Sequence, residues 1–497
     1  MTSRNHTDDA ALPLDALLTE AARGPLARLL PAAAAARFVG ALVRHPTRVA
    51  ARGTGLAAEL GRIAGGGAGP RPDATHHAIR AAVLDLVDDL AEAPEDAERL
   101  RFAATRIAEL LAPRRPAELR ALAADLASLP RVPGSGLRLE PGTDTATAPG
   151  AVVWRTPVCE LIRYLPVTER VGEVPVLVVP GFVNRVHLVD LAPDRSLVAH
   201  LVGAGVQVLA LSWRDPGPQD AARDLDTYAD AVAGALDAAG RICRVDRTTL
   251  LGLGAGGLLA AAVTARLERQ ERVAALVLAG TAPGRDAGNT GPGAPTPVDE
   301  REVEAAVGAV TRAGRLDGRR LAELHALLCP ALLRPARDGT ADPLRAWNLD
   351  TLHVPAGLYR DLTRIALSGE VPGADLGSVD RDVYLVAGVT DRLGSWQGVY
   401  RTTQVLGGKS RFVLVPGSTA AAVGYGTRVF RAADGGVSSG NPADPERWRS
   451  AARLHTGSWW ADLTAWLDER SGDRVDAPPE LGGRGLHALH PAPGTYF

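Results

Sequence analysis

The chain has 497 residues, 46% apolar and 23% charged, a composition that excludes a mainly disordered, collagen-like or membrane-embedded protein. Its 55 basic residues, with Lys409 the only lysine, stand against 57 acidic ones, and the net charge of −2 gives no pull toward nucleic acid or anionic lipid. Aromatic residues, at 4%, supply no stacking platform for single strands.

From the N-terminus, residues 14–127 carry helical spacing, as where Leu100, Ala103, Ile107, Leu110 and Leu111 form one stripe. The first apolar stretch, residues 29–36, holds Pro31, stops at Arg37 and follows no basic leader, so no signal peptide or membrane span is expected. Gly65, Gly66 and Gly67 divide the helical region, and a Pro/Gly/Thr-rich linker follows over 131–150. Short apolar runs at 176–179, 206–211, 249–253, 273–279, 383–387 and 411–415 then read as buried strands. Helical segments at 225–239, 258–269, 395–406 and 459–469 lie between or after them. Such alternation predicts a mostly parallel sheet with helices on both faces and a site at the carboxyl ends of its strands. Residues 283–376 break the rhythm and read as a cap insertion. The expected domains are therefore a helical one over 1–130, the sheet domain over 151–470, and a C-terminal tail over 471–497. Cys159, Cys243 and Cys329 are far apart and form no C-x-x-C pair, which argues against a disulfide framework or zinc site and fits a reducing cytoplasm. His325, His353 and His455 lack metal-ligand spacing, and His187, after the loop Gly181-Phe182-Val183-Asn184, reads more as an exposed residue than as one facing a pocket.

The most informative stretch runs from Thr249 through Gly252, Leu253, Gly254, Ala255, Gly256 and Gly257, a strand entering a glycine turn with a helix directly behind it. Gly252, Gly254 and Gly257 satisfy G-x-G-x-x-G, which would hold a dinucleotide pyrophosphate at the helix N-terminus. That motif should close a first strand and be followed about 20 residues on by an acid; here earlier strands precede it and Ala279, Gly280 and Thr281 follow. Gly252 and Gly256 also flank the turn as in a nucleophile elbow, whose centre would be Gly254, a residue without a side chain. The turn also reads as simple packing of helix on sheet.

The chain resembles the polyhydroxyalkanoate synthases, acyltransferases of the α/β-hydrolase fold. Similar motifs run in one order from Pro149 to Tyr496. They include Glu160-Leu161-Ile162-Arg163-Tyr164, Asp190-Leu191-Ala192-Pro193-Asp194-Arg195-Ser196-Leu197, and Ser212-Trp213-Arg214-Asp215-Pro216 where the family has S-W-R-N-P. They continue with Ala346-Trp347-Asn348-Leu349-Asp350-Thr351, Gly457-Ser458-Trp459-Trp460 and Pro491-Ala492-Pro493-Gly494-Thr495-Tyr496. The resemblance implies an α/β-hydrolase fold with an inserted cap, preceded by a helical N-terminal domain. It implies a Cys–His–Asp site that takes an acyl group from hydroxyacyl-CoA as a thioester, which needs a thiolate made by a base and a carboxylate to orient that base. The family's elbow reads G-x-C-x-G-G, and here Gly254 stands at the cysteine position. Asp391, in Gly388-Val389-Thr390-Asp391-Arg392-Leu393, is the retained acid. Where the family has S-G-H the chain has Gly417-Ser418-Thr419, which places Thr419 at the base position.

With nucleophile and base positions so occupied, the expectation is a pseudoenzyme of polyhydroxybutyrate biosynthesis that needs no cofactor and no metal. It would act as a partner or scaffold in the cytoplasm, at a polymer granule surface or on an active synthase, with a homodimer as its assembly. A remodelled acyltransferase or hydrolase with Asp391, Thr419 and Ser418 lining an acyl-CoA or ester pocket is one alternative, and dinucleotide binding is another. In a bland role, Asp391 faces the N-terminus of the helix starting at Ser395, and Trp459 and Trp460 anchor helix packing.

Overall fold

The computed structural model describes residues 18–19, 21–22, 32–65, 72–91, 97, 100–101, 103–105, 139–282, 300–328, 343–391, 394–433 and 440–496. Its centre is an eleven-stranded sheet made of β1 (Gly150–Arg155), β2 (Cys159–Tyr164), β3 (Val176–Val179), β4 (Val208–Trp213), β5 (Thr248–Leu253), β6 (Val273–Ala279), β7 (Val383–Gly388), β8 (Ser410–Val415), β9 (Val429–Ala432), β10 (Arg453–Thr456) and β11 (His490–Pro491). The spatial order is β11-β1-β2-β4-β3-β5-β6-β7-β8-β9-β10. Strands β3 to β8 are mutually parallel, and antiparallel strands close both edges. The parallel strands are near-continuous Val, Leu and Ala runs because helices cover both faces and neither face meets water. From β3 the order runs outward to β4 on one side and to β5 on the other, and this reversal opens a crevice at the carboxyl ends of β3 and β5.

Several helices around that crevice start on side-chain caps. Asp224 accepts from Thr227 N at 3.0 Å before α5 (Leu225–Cys243), which follows α4 (Leu197–Gly203). α6 (Ala255–Leu267) begins without a side-chain cap, at Gly254. The cap region contributes α7 (Glu300–Ala313), α8 (Gly318–Leu328), α9 (Pro343–Leu349) and α10 (Ala356–Ser368). Then α11 (Trp396–Val405), α12 (Thr419–Tyr425), α13 (Pro445–Ala451) and α14 (Trp459–Asp468) return to the sheet, with Ser395, Ser418, Asp444 and Ser458 as their N-caps. The N-terminal helices α1 (Ala32–Arg44), α2 (Pro46–Gly65) and α3 (Pro72–Leu90) form a separate unit in which Arg52 bridges Asp85 and Asp89.

The domain limits differ from expectation at three places. Leu18 and Ala21 sit in the core of the sheet domain, not with α1–α3, and Tyr359 donates to Leu18 O at 2.9 Å. The end of the linker is docked: Thr145 is buried, and Ala148 N donates to Asp190 Oδ2 at 2.8 Å. Within the expected tail, residues 471–496 are docked on the sheet domain: β11 (His490–Pro491) pairs with β1, and the buried Glu160 carboxylate accepts from Thr495 N at 2.9 Å and Tyr496 N at 3.1 Å. Among the described residues, no helix is long and apolar enough to cross a membrane, and no cluster of three or more His, Cys, Asp or Glu side chains could hold a metal.

Candidate active site

The glycine turn separates two demands on glycine. A Cβ on Gly252 would stand 2.3 Å from Gly257 Cα, one on Gly256 would stand 2.3 Å from Pro180 O, and one on Gly257 would stand 1.8 Å from Thr281 Oγ1. These three glycines let α6 close on β3 and β5, so helix-on-sheet packing by itself accounts for them. Gly254 differs. Its Cβ would meet nothing within 4 Å, while its backbone has φ 53° and ψ −120°, a conformation that side chains rarely adopt. The turn is held there by Gly254 N donating to Ala279 O at 2.8 Å and by Thr281 Oγ1 donating to Gly254 O at 3.0 Å. Gly254 is thus the open tip of a strained strand-to-helix bend, where the first N–H groups of α6 lack intrahelical acceptors.

That tip opens on a cavity of about 320 Å³ whose walls come from the loop after β3 (Gly181, Phe182, Asn184), from α6, from the cap and from the start of α12. Most of the lining is apolar. Asp391 and Thr419 line it together with Gly254, so the three positions singled out in the sequence converge on one space. Asp391, half-buried after β7, accepts from Thr419 N at 2.8 Å and from Gly388 N at 3.1 Å, and the Thr419 hydroxyl donates to its Oδ2. Gly388 N also donates to Thr419 Oγ1 at 2.8 Å. Burial pushes the Asp391 carboxyl up to about 6, against the pull of the Thr419 hydroxyl, Thr419 N and Gly388 N.

Several expectations are corrected here. The helix whose N-terminus Asp391 serves is α12, through its first residue Thr419, and not the helix at Ser395. Ser418 is spent as the N-cap of α12, accepting from Ala421 N at 3.2 Å, and does not line the cavity. His187 is neither exposed nor part of the cavity lining: it is buried, and burial pushes its pKa down to about 4. The Cys159 thiol lies inside β2, where burial pushes it up to about 12, and Cys243 ends α5; neither reaches the cavity lining. Cys329 lies outside the described residues. His353 pairs with Asp215, and His455 stacks on Phe430 with ring centroids 5.0 Å apart. Trp459 packs as expected, fully buried and donating to Ala422 O at 3.0 Å. Sequence reading passed over Leu18 and His325, both of which line the cavity. His325 was weighed only for metal spacing, although its position on α8, four residues after Leu321, places it on the inward face.

The strand order, the bend at Gly254 and the acid after β7 define an α/β-hydrolase-fold protein with a cap. A sequence profile described as "alpha/beta hydrolase fold" matches residues 174–420, and one described as "Poly-beta-hydroxybutyrate polymerase (PhaC) N-terminus" matches residues 119–201. The chain is 33% identical over 389 residues to poly(3-hydroxyalkanoate) polymerase 1 of Ectopseudomonas oleovorans, covering 72% of this chain and 67% of that one. It is 32% identical over 385 residues to the poly(3-hydroxyalkanoate) polymerase subunit PhaC of Cupriavidus necator, covering 72% and 65%. It therefore spans about two thirds of the length of these relatives. Among solved structures, a soluble variant of monoglyceride lipase from Saccharomyces cerevisiae matches over 68% of this chain and all of that one, with 11% identity and a TM-score of 0.41. The chain belongs to the poly(3-hydroxyalkanoate) polymerase family.

Proposed function

We infer that this chain is a polyhydroxyalkanoate synthase-like protein that holds an acyl group in its cavity without taking it up covalently. It serves polyhydroxyalkanoate metabolism as a non-catalytic partner of an active polymerase or of the polymer surface. The observation that carries this reading is Gly254, a bend with the backbone of a nucleophile elbow, open to the cavity and lacking any side chain. The second support is the acid: Asp391 is occupied by Thr419 and Gly388, whereas acyl transfer needs a carboxylate orienting an imidazole. An oxyanion hole and binding alone leave about 10³- to 10⁴-fold over water in a serine hydrolase, too little for chain growth.

The test compares CoA release from hydroxyacyl-CoA by the native chain and by the Gly254→Cys, Thr419→His double variant, alongside co-sedimentation of the native chain with polymer granules. No release together with granule or polymerase association supports the reading. Polymer made by the native protein overturns it. A second reading, slow hydrolysis of a bound acyl ester or thioester, is favoured by the mostly apolar cavity onto which the elbow opens. CoA release by the native protein without polymer would select it.

A further inference from the structure

Within the mostly apolar cavity, one wall carries an imidazole whose tautomer is set by its neighbours. His325 Nδ1 lies 2.6 Å from Asn348 Oδ1. The orientation of that amide is fixed, because Asn348 Nδ2 donates to Ala322 O at 3.1 Å, leaving Oδ1, an acceptor only, toward the ring. Nδ1 must therefore carry the hydrogen and donate. The backbone of Asn348 is held in turn by Asn184 Nδ2, which donates to Asn348 O at 3.2 Å. Neutral imidazole has one donor and one acceptor, so Nε2 keeps its lone pair. Among the described residues Nε2 has no hydrogen-bond partner, and it is not a sealed buried atom. Burial lowers the His325 pKa, which favours the neutral ring.

We propose that His325, positioned by Asn348, is the recognition group of this cavity: its Nε2 lone pair accepts a hydrogen bond from a hydroxyl on an otherwise apolar chain and so selects an alcohol over the matching ketone. A carbonyl oxygen at the same place is an acceptor facing an acceptor, while an alcohol donates. The cavity, at about 320 Å³, holds on the order of ten liquid water volumes, enough for a chain of eight carbons or so. The inference rests on the reading of this cavity as a ligand site, and it names the polar feature of the ligand.

The probes are 2-octanol and 2-octanone, neither of which is an acyl compound. Binding to the full chain is read by competition with an environment-sensitive fluorescent fatty acid. Roughly five- to tenfold tighter binding of the alcohol is expected, the value of one neutral hydrogen bond. His325→Phe should abolish the preference while leaving octanone binding within about threefold. A separate readout needs no variant: in protein labelled with ¹⁵N-histidine, the His325 resonances should show a protonated Nδ1 and a bare Nε2, and 2-octanol should shift Nε2. Equal binding of alcohol and ketone, or a protonated Nε2 in the free protein, overturns the proposal. If neither probe nor acyl-CoA binds, the cavity reading itself falls; acyl-CoA binding without an alcohol preference removes only the role of His325.

Discussion

Replacing Gly254 by alanine isolates the backbone of the bend from its surroundings. The new Cβ enters open space, so no packing term opposes it. What opposes it is φ 53° with ψ −120°, which costs a residue with a side chain about 1–3 kcal/mol. Losing glycine also stiffens the unfolded chain, which returns about 0.4–1 kcal/mol. The net expectation is a destabilisation of about 1–2 kcal/mol. Gly256→Ala is the contrast: its Cβ would sit 2.3 Å from Pro180 O and 2.4 Å from Val179 O, backbone atoms at the end of a core strand that cannot yield. That clash should cost more than about 3 kcal/mol or prevent folding. Guanidinium unfolding followed by tryptophan fluorescence reads both, since Trp213 is buried and donates to Pro180 O at 3.1 Å beside the bend. A neutral or stabilising Gly254→Ala would refute the strained conformation. A Gly254→Ala as damaging as Gly256→Ala would refute the open space above the tip.

Three further outcomes follow from the same contacts. Asp391 has its carboxyl raised from 3.8 to about 6 by burial, so the folded state binds that proton more tightly than the unfolded state. The resulting stabilisation is fully present below about pH 4 and disappears as pH rises through about 6; relative to Asp391→Asn, the native protein should lose about 2–3 kcal/mol between pH 4 and pH 7 in denaturant titrations. Thr419→Val removes one of the two acceptors of Gly388 N and a donor to Asp391, and should cost about 1–3 kcal/mol while moving the Asp391 midpoint higher; an unchanged midpoint would contradict the contact. Glu160→Ala removes the buried carboxylate that receives Thr495 and Tyr496, so hydrogen exchange should accelerate at the amides of Leu489, Ala492, Gly494, Thr495 and Tyr496 while β5 and β6 stay protected; unchanged protection would show that other contacts hold this segment.

The parallel strands were legible because burial on both faces writes them as unbroken apolar runs; β6 was placed to the residue and β7 and β8 to within one. β2 was not legible as a strand. Glu160 and Arg163 interrupt its apolar run, and they are buried only because distant segments satisfy them: Thr495 and Tyr496 for Glu160, and Gln207 and Leu481 for Arg163. The start of α6 was set three residues late, at Leu258, because Gly256 and Gly257 weaken a helix on local grounds; the close approach to Pro180 and Thr281 that requires them is visible only in three dimensions. The convergence of Gly254, Asp391 and Thr419 was readable from motif order. His325 was not, because its significance comes from Asn348, 23 residues away on another helix.

The most direct measurement of the central claim is the intact mass of the purified protein after incubation with hydroxyacyl-CoA, with free CoA assayed in the same tube. A chain whose bend carries no nucleophile should keep its mass and release no CoA beyond the buffer rate. A stoichiometric acyl adduct with CoA release, mapped to any residue lining the cavity, would contradict it.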